Sequence, residues 1–169
     1  MNRKIACTTT LVMATALLTS AGSCDPGAPG SSQAVLDAVN QKRESVGCPK
    51  VKGDEKLRIA ADKYVVDLRD HPEVRNKPWP HPGSDGSTAP SRIAAAGFAP
   101  ATHIGEIAFV DTTAKTQDQH VADSTTYWWG SPPHRAAISN CAFTRAGVAL
   151  VYPNNQWFTV VSFGRLQGD

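Results

Sequence analysis

The sequence lacks a strong charge of either sign. It carries 17 basic and 15 acidic residues, which gives a formal net charge of +2. Arg3 and Lys4 belong to an N-terminal segment discussed next, and without them the two counts are equal. This balance excludes the one-sided positive surface with which proteins bind nucleic acids, so we expect no nucleic-acid partner.

Long hydrophobic runs are absent after the first twenty residues, which excludes a multi-pass membrane protein. The one uncharged apolar run, residues 5–18, is shorter than the roughly 20 residues that a membrane-spanning helix needs. A basic start precedes the run and small residues follow it. This order is typical of a secretory signal peptide, which we predict over residues 1–23, with an N-terminal anchor helix as the alternative.

Cysteine is scarce, with four residues in the chain. Cys7 lies in the predicted signal peptide. In an oxidising compartment we expect Cys48 and Cys141 to form a disulfide, which would close a loop of about ninety residues and contribute roughly 4–5 kcal/mol. The alternative is two unpaired buried thiols.

Cys24 follows a run of small residues that resembles the lipobox of bacterial lipoproteins, so it is a candidate for lipidation. Cleavage after Ala21 by an ordinary signal peptidase is the alternative.

The hydrophobic periodicity predicts an α+β fold. Residues 24–31 are rich in Pro, Gly and Ser and are predicted to form a tether, followed by one domain over residues 32–169. Residues 72–90 contain five prolines and are predicted to form a long loop, a kind of segment that is often functional. Helices are predicted at residues 32–46, 54–70, 91–96, 116–129 and 132–138, and strands at 104–110, 146–152 and 157–163, the last two as a hairpin.

Strong catalytic motifs are missing: the sequence has no HExxH, CxxC, GxSxG, GxGxxG or P-loop pattern. Three polar residues nevertheless occur in apolar or turn-rich surroundings. His81 lies in the long loop, Glu106 interrupts an apolar strand, and His134 begins a helix. The residues alone leave a simpler interpretation open, in which the histidines are exposed or structural and Glu106 faces water.

Several segments, taken in order, resemble the CAP superfamily of cysteine-rich secretory proteins, insect antigen 5 and plant pathogenesis-related 1 proteins, and the compact bacterial branch most closely. The resemblance runs from about Gln33 to Arg165. The segments that carry it are residues 35–43, Asp54-Glu55-Lys56-Leu57, His81 with residues 83–88, Arg92-Ile93 with Ala96-Gly97-Phe98, Gly105-Glu106-Ile107-Ala108, Trp128 with Ser131-Pro132-Pro133-His134-Arg135, and Ala146-Gly147-Val148-Ala149.

The resemblance implies an α-β-α sandwich of the CAP type with a C-terminal antiparallel hairpin, and a cleft lined by two histidines and one or two acidic residues. By position these are His81, Glu106 and His134, a set that suits a divalent cation, Zn²⁺ by preference, and leaves a coordination position open. The family's second acidic residue falls on Ser131. Asp111 or Asp123 could take its place, although no spacing argument supports either.

We therefore expect His81, Glu106 and His134 to converge in the fold. The expected function is a non-enzymatic binding module of the bacterial cell envelope or exterior, with an unidentified small or lipid-like ligand or envelope component. The alternatives are a metal- or His-dependent hydrolase or peptidase, with Glu106 or His134 as general base, and a purely structural envelope protein. We expect a monomer that contacts a membrane only through the signal peptide or a lipidated Cys24.

Overall fold

The computed structural model describes residues 29–113 and 115–169. The predicted signal peptide (1–23), the lipidation candidate Cys24 and most of the predicted tether (24–31) lie outside these residues. The elements, in chain order, are α1 (Pro29–Glu44), β1 (Lys52–Gly53), α2 (Glu55–Asp70), a 3₁₀ turn (Pro72–Val74), α3 (Ala89–Ala95), β2 (Ala101–Asp111), α4 (Gln117–Gly130), α5 (Pro132–Ile138), β3 (Arg145–Val151) and β4 (Trp157–Leu166).

Helix α2 shows how the sequence determines local structure. Asp54 caps it, because its side chain accepts hydrogen bonds from the backbone N–H groups of Lys56 and Leu57. Leu57, Tyr64 and Leu68 recur at helical spacing and are all buried. His71 and Pro72 end the helix where the sequence predicts.

The four strands form one mixed sheet in the order β1-β3-β4-β2. β3 and β4 form the predicted antiparallel hairpin, β2 pairs antiparallel with β4, and β1 runs parallel to β3. β2 therefore lies at an edge of the sheet, with one side free of any strand.

Helices cover both faces of the sheet, which confirms the predicted α-β-α arrangement. Side chains of β3 and β4 pack alternately against the helices on the two faces of the sheet, as expected from the period of two along a strand. On one face, Val160 packs against α2; on the other, Val161 packs against α1, α4 and α5. In the described ranges no helix has both the length and the apolar character needed to cross a bilayer.

The predicted disulfide between Cys48 and Cys141 is formed. It ties the segment after α1 to the turn after α5. Arg43 holds the same turn without a covalent bond: its fully buried guanidinium donates to the backbone carbonyls of Ile138, Asn140 and Phe143 at 2.8, 3.0 and 3.0 Å. Burial lowers the pKa of Arg43.

Some boundaries differ from the sequence prediction. α1 begins at Pro29, so it includes the last residues of the predicted tether rather than starting after Ser32. α3 begins at Ala89, two residues before the predicted start, because Thr88 caps it. The short strand β1 was not predicted. Both of its residues are exposed, so no apolar pattern marks it, and it exists only because it pairs with β3.

Candidate functional site

A cavity of about 670 Å³ runs along the free edge of β2. Its floor is the strand itself, since all seven residues from Ile104 to Val110 line it. Both helical layers and the long loop supply its walls. The wall residues are Tyr64 and Leu68 of α2, residues 76–79 and His81 of the loop, and Tyr127, Pro133, His134, Ala136, Ala137, Asn140 and Phe143 from α4 to β3.

His81, Glu106 and His134 all line this cavity, although they are far apart in sequence. The imidazole Nδ1 of His81 lies 3.1 Å from Oε1 of Glu106. β2 carries Glu106, the loop before α3 carries His81, and the first turn of α5 carries His134. The cavity thus brings the three candidate residues together at the sheet edge.

Glu106 is completely buried and fully engaged by the protein. Oε1 accepts from the Arg92 guanidinium at 2.8 Å, and Oε2 accepts from the Ser162 hydroxyl at 3.1 Å. The Arg92 side chain is itself 1% exposed, so the two charges form a buried ion pair. Removing a charge from water costs roughly several kcal/mol, so a buried carboxylate needs a partner of opposite charge to offset that cost.

Arg92 also fixes the position of His81. Its guanidinium donates to the backbone carbonyl of His81 at 3.1 Å and lies over the Tyr64 ring, 4.0 Å from the centroid. The Tyr64 ring stacks in turn on the imidazole of His81 at 5.8 Å. Burial, followed by the charge of Glu106, raises the pKa of Tyr64 to about 12. The neutral phenol therefore forms one side of the site.

The backbone of His81 is in the left-handed region, with φ of 53°. Such a conformation costs a residue with a Cβ about 1–2 kcal/mol, although Asn, Asp and His adopt it more readily than most. The hydrogen bonds to Arg92 and Glu106 hold it there. Strain of this kind is found preferentially at functional sites.

His134 is held from the side of α5. Its Nδ1 lies 2.8 Å from Oγ of Ser131, which precedes the helix. Burial lowers the pKa of His134, and the charge of His81 lowers it further. Both effects favour the neutral imidazole of His134, which is the form that binds metals.

Three other sequence candidates lie outside the cavity lining. Ser131 contacts His134 but does not line the cavity. Asp111 and Asp123 both pair with Lys115, at 3.1 and 2.5 Å. Neither aspartate is within the lining, so neither takes the place of the family's second acidic residue there.

The two imidazoles fit a metal better than the carboxylate does. Each uses Nδ1 for a contact within the protein, and within the described ranges neither Nε2 has a hydrogen-bond partner. Histidine ligands of metals commonly show this pattern, with one nitrogen held by a carboxylate or other acceptor and the other left for the metal. Both oxygens of Glu106 are occupied, and the described part of the chain contains no group of three or more His, Cys, Asp or Glu side chains arranged to hold a metal.

Sequence reasoning missed most of the residues that support the site. Arg92 is marked only by the family pattern, Tyr64 only by the apolar period of α2, and Ser162 by neither. Trp79 and Tyr127, which flank the cavity, are 49% and 51% exposed. The sequence offers one signal for these cavity residues, a Trp between two prolines at Trp79.

A second histidine–carboxylate contact lies at the end of β2, away from the cavity. Nδ1 of His120 is 3.9 Å from Oδ2 of Asp111, and Nε2 is 2.5 Å from the hydroxyl of Thr159. The His120 ring stacks on Trp157 at 5.1 Å and is completely buried. Burial lowers the pKa of His120 to about 4. The imidazole of His120 thus lies between the carboxylate of Asp111 and the hydroxyl of Thr159, but none of the three residues lines the cavity.

A layered α-β-α fold with two histidines and a carboxylate at the free sheet edge can be compared with known proteins. The model of one family, CAP (cysteine-rich secretory protein family), matches residues 36–163. The chain belongs to this family. No curated protein matches the chain.

Solved structures of CAP proteins share its fold. An outer surface protein of Borrelia burgdorferi is 18% identical with a TM-score of 0.66, over 82% of this chain and 95% of that one. An extracellular SCP-domain protein of Bacillus anthracis is 22% identical with a TM-score of 0.60, over 80% of this chain but only 40% of its own length. The structure of NaASP2 with Zn²⁺ is 11% identical with a TM-score of 0.58, over 86% and 84% of the two chains.

Proposed function

We propose that this CAP protein is an exported binding module whose cleft holds a divalent cation, Zn²⁺ by preference, on His81 and His134. The observation that carries the proposal is that both imidazoles line one cavity while each is anchored through Nδ1. The solved structure of NaASP2 with Zn²⁺ is consistent with metal binding by a protein of this fold.

Glu106 has the role of orienting His81 in this proposal. With Nδ1–H of His81 donating to the carboxylate, the lone pair is on Nε2, where a metal needs it. Arg92 balances the carboxylate charge, so the buried pair adds no net charge to the cleft. A bound cation would supply Lewis acidity and positive charge at the cleft. The chain's own residues orient the two imidazoles and shield them from water.

The cleft also suits a second, organic ligand. Apolar residues of both layers line it, including Leu68, Ile104 and Phe143. We propose that a small or lipid-like molecule or an envelope component binds there, with the protein acting as a monomer at the bacterial envelope or exterior. Two structural neighbours are an outer surface protein and an extracellular protein, and both support this location, as does the candidate lipidation residue Cys24.

Zinc titration of the metal-free protein by calorimetry tests the metal site. We expect binding by the wild type, loss of binding in His81→Ala and His134→Ala, and a 10- to 100-fold weaker affinity, by order of magnitude, in Glu106→Gln. His103→Ala is the matched control, because His103 is an exposed histidine of β2 outside the cavity. Equal binding by all of these proteins would remove the metal site from the proposal.

One contact favours a hydrolase as the second candidate. The hydroxyl of Ser131 lies 2.8 Å from His134, as a nucleophile lies near its base. Against it, Ser131 does not line the cavity, and no carboxylate of the described residues contacts His134. Turnover of peptide or ester substrates that both a chelator and His134→Ala abolish would establish hydrolysis, and inactivity on a broad panel would exclude it.

A further inference from the structure

The floor of the cleft is an unpaired strand edge. β2 bonds to β4 on one side only, and residues 104–110 line the cavity continuously along the other. An unpaired edge presents a row of backbone N–H and C=O groups to whatever occupies the space beside it. The main chain of β2, and not only its side chains, is therefore part of the binding surface.

One hydrogen bond shows which residues of β2 face the cleft. The indole N–H of Trp128 donates to the carbonyl of Ala108 at 3.0 Å, so this carbonyl points away from β4. Backbone groups of an antiparallel strand point alternately to its two sides. Ile104, Glu106 and Val110 therefore point the same way, and within the described ranges their backbone N–H and C=O groups have no hydrogen-bond partner.

These free groups restrict the chemistry of the ligand. An acyl chain along this edge would displace water from the donors and acceptors without replacing their hydrogen bonds, at about 1–3 kcal/mol for each buried group. An extended polyamide replaces them one for one, except at the carbonyl of Ala108, which already accepts from Trp128. A fit of seven residues corresponds to roughly 23 Å of extended chain, at about 3.3 Å per residue.

The surroundings favour a single strand over another folded sheet. The edge is recessed between α2 and the loop on one side and α4 and α5 on the other, since residues of both layers line the same cavity. A second copy of this protein could not bring its own covered sheet edge into that space. Trp79 and Tyr127, both about half exposed, offer ring faces on the walls for the ligand's side chains.

We propose that the cleft binds an extended peptide segment as a fifth strand of the sheet, paired with the free edge of β2. Side chains of such a peptide alternate between the wall that carries Tyr64 and His81 and the wall that carries Tyr127 and His134. The inference rests on the proposed binding role of the cleft and names the class of ligand, but it does not require the metal.

Amide hydrogen exchange provides the direct test. A peptide is selected from a random 12-residue display library against the immobilised protein, and exchange is followed by NMR with and without it. We expect at least tenfold slower exchange at the amides of Ile104, Glu106, Ala108 and Val110, with no change at Gly105, Ile107 and Phe109, which already bond to β4. N-methylation of the peptide should weaken binding at every second position.

A variant checks the same contact from the protein side. Val110→Pro removes one N–H that faces the cleft and takes no part in the ladder with β4, a position where an edge strand tolerates proline. We expect about fivefold weaker peptide binding than in the control variant, the size of one lost hydrogen bond, with the free energy of unfolding of both variants measured in parallel because Val110 packs against the core. Val110→Thr keeps the N–H and serves as the matched control.

The outcomes separate this inference from the proposed function. Failure to select any peptide, or a bound peptide that protects none of the alternate amides, overturns strand addition. If Zn²⁺ or palmitate binds the same preparation in that case, the binding module stands with a different ligand. Peptide binding with the period-two pattern but without Zn²⁺ binding supports the inference and removes only the metal.

Discussion

Strand β2 carries two histidine–carboxylate contacts that differ in almost every respect except composition. At Glu106 the carboxylate is shared by His81, Arg92 and Ser162, and the cluster borders a cavity. At Asp111 the carboxylate interacts with His120 and Lys115, and the histidine is sealed beneath Trp157. At the first contact the imidazole of His81 borders a cavity, whereas at the second the imidazole of His120 is part of the protein interior.

The comparison shows that neighbouring residues in space do not by themselves make a reactive site. Asp111, His120 and Thr159 lie in the order of an acid, a base and a hydroxyl nucleophile. His120 and Thr159 are both completely buried, and neither lines the cleft at β2. Both carboxylates have a cationic partner, so access, supplied at Glu106 by the cavity along the free edge, distinguishes the two contacts.

The largest effect should follow from breaking the charge balance at Glu106. Arg92→Met leaves the carboxylate buried and unpaired, and we expect a loss of about 3–5 kcal/mol in the free energy of unfolding, measured with urea. Adding Glu106→Gln should recover much of this loss. Lys115→Met at the other contact should cost less, because the buried Asp111 then loses its ion pair with Lys115 but keeps the hydrogen bonds from the backbone N–H and the hydroxyl of Thr113. A loss below about 1 kcal/mol in Arg92→Met would mean that the pair does not stabilise the cleft.

A smaller effect should appear as pH dependence at the sealed contact. The pKa of His120 is about 4 in the folded protein and about 6.5 when unfolded. Between these values the unfolded chain binds a proton that the folded chain does not, so stability falls as the pH drops from about 6.5 to 4, by roughly 1–3 kcal/mol.

His120→Asn should remove most of this dependence, as measured by the free energy of unfolding at pH 7 and pH 5. His134, whose pKa is also lowered, contributes in the same direction and accounts for part of the slope that remains. His103→Asn is the control and should leave the slope unchanged. An unaltered slope in His120→Asn would show that this histidine is not kept neutral by burial.

The smallest effect should come from the backbone of His81. Its φ of 53° suits Asn better than Ala, so His81→Asn should be about 1 kcal/mol more stable than His81→Ala, although both lose the imidazole. The same two substitutions at His103, which lacks a positive φ, should show no such preference. Equal stability of the two variants would mean that the loop relaxes when the imidazole is removed.

The sequence predicts the features that depend on local pattern. The apolar period of α2, the turn before Trp157 and the paired cysteines all gave the correct element or contact. The family resemblance, rather than periodicity, pointed to His81, Glu106 and His134. Their lining of one cavity depends on tertiary structure that no local pattern reveals.

The missed features depend on partners far away in the chain. Arg92 lies between Ser91 and Ile93 in a short helix, and nothing near it indicates that it is buried or that Glu106 is its counter-charge. The burial of His120 was equally hidden, because α4 is polar along most of its length. The free edge of β2 follows only from the strand order, which a list of elements does not contain.

The turn after α5 is held by the hydrogen bonds of Arg43 and by the disulfide, and these two interactions have different chemical requirements. Arg43 needs only its carbonyl partners, whereas the Cys48–Cys141 bond needs an oxidant. The hydrogen bonds of Arg43 act within the folded chain, whereas the disulfide, by linking residues 93 apart in sequence, also restricts the unfolded chain.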